Sequence, residues 1–352
     1  MKPIILNSRS KKDRADLALI RRRRPYVVDE IEEQLKELEF VKNPKLLLDP
    51  SKLNLNRKVE IIWVYYPWKN TLVHCLNKKD FKYLRTSRNQ DLITKDEQKK
   101  LEKFRVGIAG LNVGNPGALC LALEGDIEMK LTDNDVLSLS NLNRFRAGLP
   151  DLGLNKAILT ARQIYEINPF AKLEIFERGI SDENIEKFLL RPKIDVLVEE
   201  MDNLPLKIKI RELARAWKIP VIMVTGSGPD VIIDVERFDR DPNLPLLSGY
   251  LKKSVIDGIK VGPMILGEKI RLARDFMGVK YLHSRLVESF DLVGRKIAGI
   301  PQIAESSFLR GASIAYFVRQ IAQGDKVSSG RPACRSGRYN LKLSDVQRSK
   351  KS

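Results

Sequence analysis

Two stretches of the chain carry residue types that together suit a nucleotide. The first runs Asp133-Asn134-Asp135-Val136 and, a few residues on, Ser140-Asn141-Leu142-Asn143-Arg144. The second is the glycine-rich run Gly110-x-Asn112-x-Gly114-x-x-Gly117, which follows the short apolar segment 105–109 and opens an apolar helix. A tight turn from strand to helix leaves backbone amides free, and an anionic phosphate can settle on them at the helix N-terminus. An acidic residue about 20 positions after the first glycine, at the end of the next strand, suits a ribose hydroxyl. Asp133 stands 23 positions after Gly110 (133 − 110). Asn141, Arg144 and Lys156 add an amide and two cations that can grip a polyphosphate. Taken alone, the glycine spacing departs from G-x-G-x-x-G and is a frequent structural turn. The bland alternative makes Asp133 a helix cap and Arg144 its surface partner, and it leaves the rest of the set unexplained.

These residues need a scaffold, and the rhythm after residue 104 predicts one. Apolar strand segments at 105–109, 127–132, 172–176, 194–199 and 220–224 alternate with helical patterns at 118–123, 155–167, 182–190 and 206–217. Pro116 fits the first turn of the helix that the glycines open. This alternation predicts an α/β fold, a doubly wound, mainly parallel sheet that binds ligands at the carboxyl ends of its strands. Residues 239–262, rich in Pro, Gly and Asp, predict a long crossover or flap, with helices returning at 267–276, 281–290 and 303–323. Upstream, residues 1–25 read as a basic mobile arm, and 26–41 as a helix. Residues 58–83 read as a strand–turn–strand–helix unit, suited either to clamping an extended ligand or to simple packing. The expected organisation is an arm at 1–25, an α+β extension at 26–84, the nucleotide-binding domain at 85–330 and a basic tail at 331–352.

With those motifs in hand, the chain resembles the ThiF/MoeB/HesA family of E1-like adenylyltransferases. That family's pattern of a glycine loop, D-x-D, S-N-L-x-R, G-x-x-K, I-N-P and a late D-N is similar to Asp133–Arg144, Gly153-Leu154-Asn155-Lys156, Ile167-Asn168-Pro169 and Asp202-Asn203, in the same order over roughly residues 85–235. The resemblance implies a Rossmann-like E1/ThiF fold with ATP as cofactor. It places Gly110 and Gly114 near the phosphates and Asp133 at the ribose, with Asn112 and Asp135 also among the nucleotide-binding residues. Asn141, Arg144 and Lys156 then bind the triphosphate, and Asp202 holds Mg²⁺, a hard cation suited to carboxylate and phosphate oxygen. Arg85-Thr86-Ser87-Arg88-Asn89-Gln90 is similar to a family element whose second arginine enters the partner subunit's site, which implies a homodimer with Arg88 acting in trans. The implied reaction is attack of a carboxylate on the α-phosphate of ATP.

Departures from the family pattern narrow the expectation. Asn112 stands where a glycine is common. The cysteines, Cys75, Cys120 and Cys334, form no Cys-x-x-Cys pair, so neither a structural zinc nor a disulfide scaffold is expected. No cysteine lies between 120 and 334, so the loop that bears the thioester in ubiquitin-type E1 enzymes lacks one. Cys334 reads as a passive tail residue rather than a reactive thiol, and His74 and His283 as structural. No signal peptide and no membrane-spanning run of about 18 apolar residues is visible, and a cytoplasmic location is expected.

Charge points to the partner. The 63 basic and 45 acidic residues give a net +18, with eight basic against two acidic residues in both 8–24 and 325–352. Such a chain suits an acidic substrate or a nucleic acid. Three readings follow from the resemblance. The preferred one is activation of glutamate side chains on a ribosomally made precursor peptide, as in the family's peptide-modifying members of microcin C7 and pantocin A biosynthesis. There the 26–83 region would hold the peptide by strand addition. The second is dehydration of threonylcarbamoyl-adenosine in tRNA. The third is adenylation of the C-terminus of a ubiquitin-like carrier. A non-enzymatic nucleotide-binding scaffold has no use for Arg144, Lys156 and Asp202 together.

Overall fold

The computed structural model describes residues 2–56, 58–260, 265–331 and 333–334. Its N-terminal unit comprises β1 (Ile4–Leu6), α1 (Lys11–Arg22), β2 (Tyr26–Val28), α2 (Ile31–Lys42), β3 (Ile61–Tyr66), β4 (Thr71–Leu76) and α3 (Lys78–Arg85). The strands form one sheet in the order β1-β3-β4-β2. β3 and β4 are an antiparallel hairpin around Pro67–Asn70, with Trp63 opposite His74. Their rings stack with centroids 4.1 Å apart, and Asp29 sits 2.7 Å from His74 Nδ1, so this histidine is spent on structure.

The basic arm expected at 1–25 is instead folded. Ile4–Leu6 pairs antiparallel with β3, and Ser10 caps α1 by accepting a hydrogen bond from the Asp13 amide. Leu17 and Ile20, one helical turn apart, bury against Leu6, Trp63, Tyr65 and Leu72. That apolar pair is enough to dock a helix whose other faces are charged. Arg21 and Arg22 fall in the last turn, where the helix dipole favours cations, and Arg21 lies 5.0 Å from the centre of the Trp63 ring. The helix expected over 26–41 begins only at Ile31. Tyr26-Val27-Val28 has the β-branched character of a strand and pairs in parallel with β4.

The larger unit follows with α4 (Lys95–Lys103), β5 (Arg105–Ala109), α5 (Leu111–Glu124), β6 (Glu128–Thr132), α6 (Lys156–Ile167), β7 (Leu173–Phe176), α7 (Ile185–Leu190), β8 (Val196–Glu199), α8 (Leu204–Ala216), β9 (Val221–Ser227), β10 (Asp230–Glu236), α9 (Lys253–Lys260), α10 (Leu266–Met277), α11 (Ser284–Phe290), α12 (Ala304–Gln323) and β11 (Ala333–Cys334). The sheet order is β11-β10-β9-β8-β5-β6-β7. β9 through β7 run parallel, while β10 and β11 add an antiparallel edge. Helices cover both faces: α5, α6 and α12 pack over one core, and α7, α8 and α9 over the other. The chain switches direction between β5 and β8, where a doubly wound sheet opens its ligand crevice.

Two stretches correct the sequence reading. Residues 239–262, expected as a flap, contain α9, preceded by a turn in which Leu247 and Ser248 adopt positive φ; 261–264 lie outside the described residues. Pro116 lies in the second turn of α5, because that helix begins at Leu111. The side chain of Cys334 and residues 335–352 of the expected tail also lie outside the described residues.

The N-terminal sheet is fastened to α6. Trp68 Nε1 and Lys69 Nζ each reach the Glu166 carboxylate at 2.6 Å, and Tyr66 donates to the Tyr165 carbonyl at 3.3 Å. On the same face as α6, α5 and α12 lie side by side and run the same way. Gly311 meets Pro116, Gly117 meets Ile314, and Arg319 pairs with Glu124 at 3.4 Å. A Cβ on Gly117 would stand 2.6 Å from Ile314 Cγ2, so the glycines permit this approach. Both helix N-termini therefore face the carboxyl ends of the strands, where their dipoles add.

Candidate active site

β5 ends at Ala109, and Gly110 makes the turn into α5 with φ of 90°. A Cβ at Gly110 would lie 2.5 Å from the Glu200 carbonyl oxygen, so only glycine passes here. Asp133, at the end of β6, stands beside this turn. Its Oδ2 accepts from the Leu111 amide at 2.6 Å, and its Oδ1 from the Asp135 amide at 2.8 Å. Burial raises its carboxyl above the ordinary range, against these two bonds. Asp133 thus caps α5 while facing the crevice. The next first-turn amides, of Asn112 and Val113, have no carbonyl within the helix to bond, as at any helix start, and the Asn112 side-chain oxygen is buried without a partner.

Gly114 behaves differently from the expectation that it approaches phosphate. It is buried within α5, and a Cβ there would stand 2.6 Å from Ile108 Cγ2. Its smallness lets α5 close on β5 rather than opening space for a ligand.

The segment after β6 folds into a cation-bearing loop. Asn155 caps α6 and also donates to the carbonyls of Asp133 and Glu177, so one side chain ties the loop to the ends of β6 and β7. Lys156 begins α6, is buried, and places its ammonium 3.0 Å from the exposed carboxylate of Asp135. Asn141 accepts from the Ser138 amide at 3.1 Å, which fixes a short turn. Arg144 follows, its Nη1 donating to Ser140 and Asn143 while its Nε is buried without an acceptor. Burial lowers its pKa, and the nearby Asp202 carboxylate opposes that shift. Asp202 is exposed on the bend after β8, just ahead of α8, whose cap is Asn203. The structure thus brings Gly110, Asn112, Asp133, Asp135, Asn141, Arg144, Lys156 and Asp202 to one end of the sheet.

Arg88 is not among them. It lies exposed in a short turn beside Arg85, and Arg85 binds the carbonyls of Ala122, Leu123 and Gly125 at the far end of α5. Within one chain Arg88 therefore sits at the opposite end of the sheet from Gly110.

Three residues of the site were not anticipated: Arg146, Arg310 and Glu200. Arg146 donates to the Arg144 carbonyl and to Ser307 Oγ, each at 3.0 Å, and lies 4.0 Å from the Phe308 ring centre. Its second terminal nitrogen is buried without an acceptor. Arg310, on α12, is only 2% exposed and has one side-chain bond, to Gln302 at 3.3 Å. Burial pushes its pKa down to about 10, and Arg144 and Arg146 press it the same way. Glu200, at the end of β8, accepts from the Val224 amide at 2.7 Å, and burial pushes its carboxyl up to about 8. The sequence signals were Arg146 two places after Arg144, and Arg310 standing in α12 as a lone charge between Phe308-Leu309 and the small-residue run Gly311-Ala312-Ser313.

The Glu200 shift has a measurable consequence. Lys207 and Arg310 lower its pKa and Glu199 raises it, but desolvation dominates. A carboxyl whose pKa is raised on folding contributes stability below its unfolded value of about 4.5, and this is lost as pH rises to about 8. Glu200→Gln keeps an acceptor for Val224 and removes the titration. The variant and wild type should melt together near pH 5. The variant should then gain steadily up to pH 8 and keep a constant lead above it. Parallel melting curves from pH 5 to 9 would place Glu200 in a solvated setting.

Comparison with known proteins agrees with this geometry. Residues 84–230 match the model of the ThiF family. The chain is 36% identical over 270 residues to an uncharacterized protein of Mycobacterium tuberculosis, MT1398, covering 76% of this chain and 37% of that protein. It is 30% identical over 157 residues to the sulfur carrier protein ThiS adenylyltransferase of Escherichia coli, covering 44% of this chain and 61% of that protein. The chain therefore spans less than two thirds of either relative. The crystal structure of E. coli MccB superimposes with a TM-score of 0.51 at 18% identity, over 74% of this chain and 68% of that one, a likeness of fold. Among the described residues, no helix is long and apolar enough to cross a membrane, and no group of three or more His, Cys, Asp or Glu could hold a metal ion. Residues 84–230, with their glycine turn at Gly110 and their Arg144 loop, are a ThiF family domain on an E1-like, Rossmann-type α/β fold.

Proposed function

We propose that the protein is an ATP-dependent adenylyltransferase that activates a carboxylate on an acidic, ribosomally made peptide, with glutamate side chains as in pantocin-type chemistry. The observation that carries the reading is the gathering of Arg144, Lys156, Arg146 and Arg310 around the paired N-termini of α5 and α12, with donor atoms left unpaired. Unpaired buried donors are costly unless a ligand satisfies them, and an anion is the ligand that cations and helix termini favour. Of these cations, Arg144 and Lys156 fit the nucleotide. Amides 112 and 113 and Arg144 face its phosphates, Lys156 is held at the site by Asp135, and Asp133 faces its ribose. Asp202 would hold Mg²⁺, a cation that binds through one or two carboxylates plus substrate phosphates and supplies charge neutralisation there.

In this reading an oxygen of the acceptor carboxylate attacks the α-phosphorus as the bond to the pyrophosphate oxygen breaks. The products are an acyl adenylate and pyrophosphate. The chain's own work is positional and electrostatic. Arg144 and Lys156 hold the negative charge that builds on the α- and leaving phosphates, and α5 and α12 direct their dipoles at it. No side chain need take a proton in that step.

The acceptor reading draws on the net charge and on the N-terminal sheet. β2 is an edge strand with Tyr26 and Val27 exposed, directly after Arg21–Arg24. An extended acidic peptide added beside it would gain main-chain hydrogen bonds and meet those arginines. The placement of Arg88 away from its own site supports action in trans within a homodimer. Mixing Arg88→Ala with Lys156→Ala protein should then restore part of the activity that each lacks, because a hybrid dimer holds one intact site. No restoration on mixing would remove Arg88 from the chemistry.

ATP–pyrophosphate exchange tests the acceptor. It should be stimulated by a glutamate-containing peptide and not by bulk tRNA or a ubiquitin-like carrier. Stimulation by tRNA alone, or by the carrier alone, would reassign the substrate. Silence with all three in a protein that still binds ATP would overturn the peptide reading.

A further inference from the structure

Arg310 is a buried cation that the fold itself does not use. Its guanidinium lies over Gly226 near the end of β9, where a Cβ would sit 3.6 Å from Cζ and Nη1, in ordinary contact. Gln302 supplies a single long hydrogen bond, and Nε has no acceptor. The carboxylates within electrostatic reach are Glu200 and Asp202. Glu200 already accepts from the Val224 amide and, among the described residues, makes no hydrogen bond or ion pair with Arg310, so it compensates Arg310 poorly. Asp202 is shared with Arg144 and exposed. An arginine that is buried, nearly unpaired and beside two other arginines is expensive to keep unless an anion completes it.

Its position selects which anion. Asp133, Asn112 and Lys156 stand on the β5–β6 side of the switch point, whereas Arg310 and Glu200 stand at the ends of β8 and β9, across it. Arg146 reaches Arg310's helix from the loop, through Ser307 Oγ. A nucleotide laid along the first side leaves the second for the other reactant. Two anions must also be brought together in this chemistry, and their repulsion is largest where water is excluded.

We propose that Arg310, together with Arg146, forms the seat of the acceptor carboxylate, a second anion pocket on the β8–β9 side that holds the reacting group against the nucleotide. This assignment rests on the nucleotide reading for its role, though not for its existence. Arginine suits the task because its planar fork matches a carboxylate and keeps its charge when buried.

The test is binding, measured by calorimetry on the full chain with glutarate as the carboxylate probe, glutaramide as its uncharged analogue, inorganic pyrophosphate, and the non-hydrolysable nucleotide AMPCPP. Wild type should bind glutarate and not glutaramide in the presence of AMPCPP. Arg310→Met should weaken glutarate about tenfold or more and leave AMPCPP within about twofold. Arg310→Lys should recover part of the loss. Arg146→Met, at a less buried position, should weaken glutarate in the same direction and serves if Arg310→Met does not fold. Loss of AMPCPP or pyrophosphate affinity with glutarate unchanged would make Arg310 a phosphate ligand and overturn the proposal. So would glutarate binding indifferent to both arginines, or no glutarate binding in a protein that binds AMPCPP. Glutarate binding that depends on Arg310 in a protein that binds no AMPCPP would keep the pocket and sink the nucleotide reading instead.

Discussion

Arg144→Ala is expected to lower ATP–pyrophosphate exchange about a hundredfold or more while the protein stays folded. Removing one preorganised donor aimed at developing charge costs roughly 10²–10³ in rate. Arg144 is such a donor, since its Nε is buried without an acceptor and its Nη1 bonds stay within its own loop. The loop is held to α12 without the Arg144 side chain: its carbonyl accepts from Ser307 Oγ and from Arg146, and Arg146 in turn donates to Ser307 and lies over Phe308. Alanine keeps that carbonyl. Activity should therefore fall with little change in melting temperature, and Arg144→Lys should recover only part of it, since an ammonium lacks the fork. Activity near wild type in the alanine variant would remove Arg144 from the phosphate site.

The second large effect is on stability. Glu199, Lys207, Arg211 and Glu236 form a fully buried charge cluster at the end of β8, in which Arg211 bonds Glu199 with Nη1 and places Nε 2.8 Å from Glu236. Lys207 stands 2.8 Å from Glu199. Burial alone would push Glu199 up, but Arg211 and Lys207 overcome it and hold its carboxyl below the ordinary range. Arg211→Met would strand Glu236 and half-strand Glu199, and breaking a buried pair this way costs about 3–5 kcal/mol. Urea denaturation should show that loss. Adding Glu236→Gln to Arg211→Met should return a measurable part of it, because one stranded charge is then gone. A loss under about 1 kcal/mol would mean that water already reaches the cluster. The cluster's place also links it to the site: Glu199 precedes Glu200 and Asp202, and its Oε1 accepts from the Met201 amide at 2.9 Å. Both ends of the Asp202 bend are thereby fixed.

Much of the parallel sheet could be read in advance because buried parallel strands are continuous apolar runs separated by amphipathic helices. β5, β8 and β9 have that character, whereas β6 alternates as Glu128-Met129-Lys130-Leu131-Thr132. The Asp133–Lys156 loop was legible for a related reason, since its chemistry and its spacing lie in one contiguous stretch. What escaped was whatever depends on tertiary neighbours. β10 hides behind Gly228-Pro229 as an antiparallel return strand, which no helix announces. α1 reads as a charged tail until its Leu17–Ile20 pair finds Trp63. Gly114 looks like a phosphate glycine, yet its neighbour is Ile108. Arg310 stands 166 residues from Arg144 (310 − 144), and only the parallel packing of α12 on α5 brings them together.

The most direct test of carboxylate adenylation follows oxygen. A glutamate-containing acceptor peptide labelled with ¹⁸O in its carboxyl groups is incubated with ATP and the full chain, and the released nucleotide is examined by mass spectrometry. Attack of the carboxylate on the α-phosphate should place one labelled oxygen in AMP, with pyrophosphate unlabelled. Label in inorganic phosphate, with ADP as the nucleotide product, would mean attack at the γ-phosphate and contradict the adenylation chemistry outright.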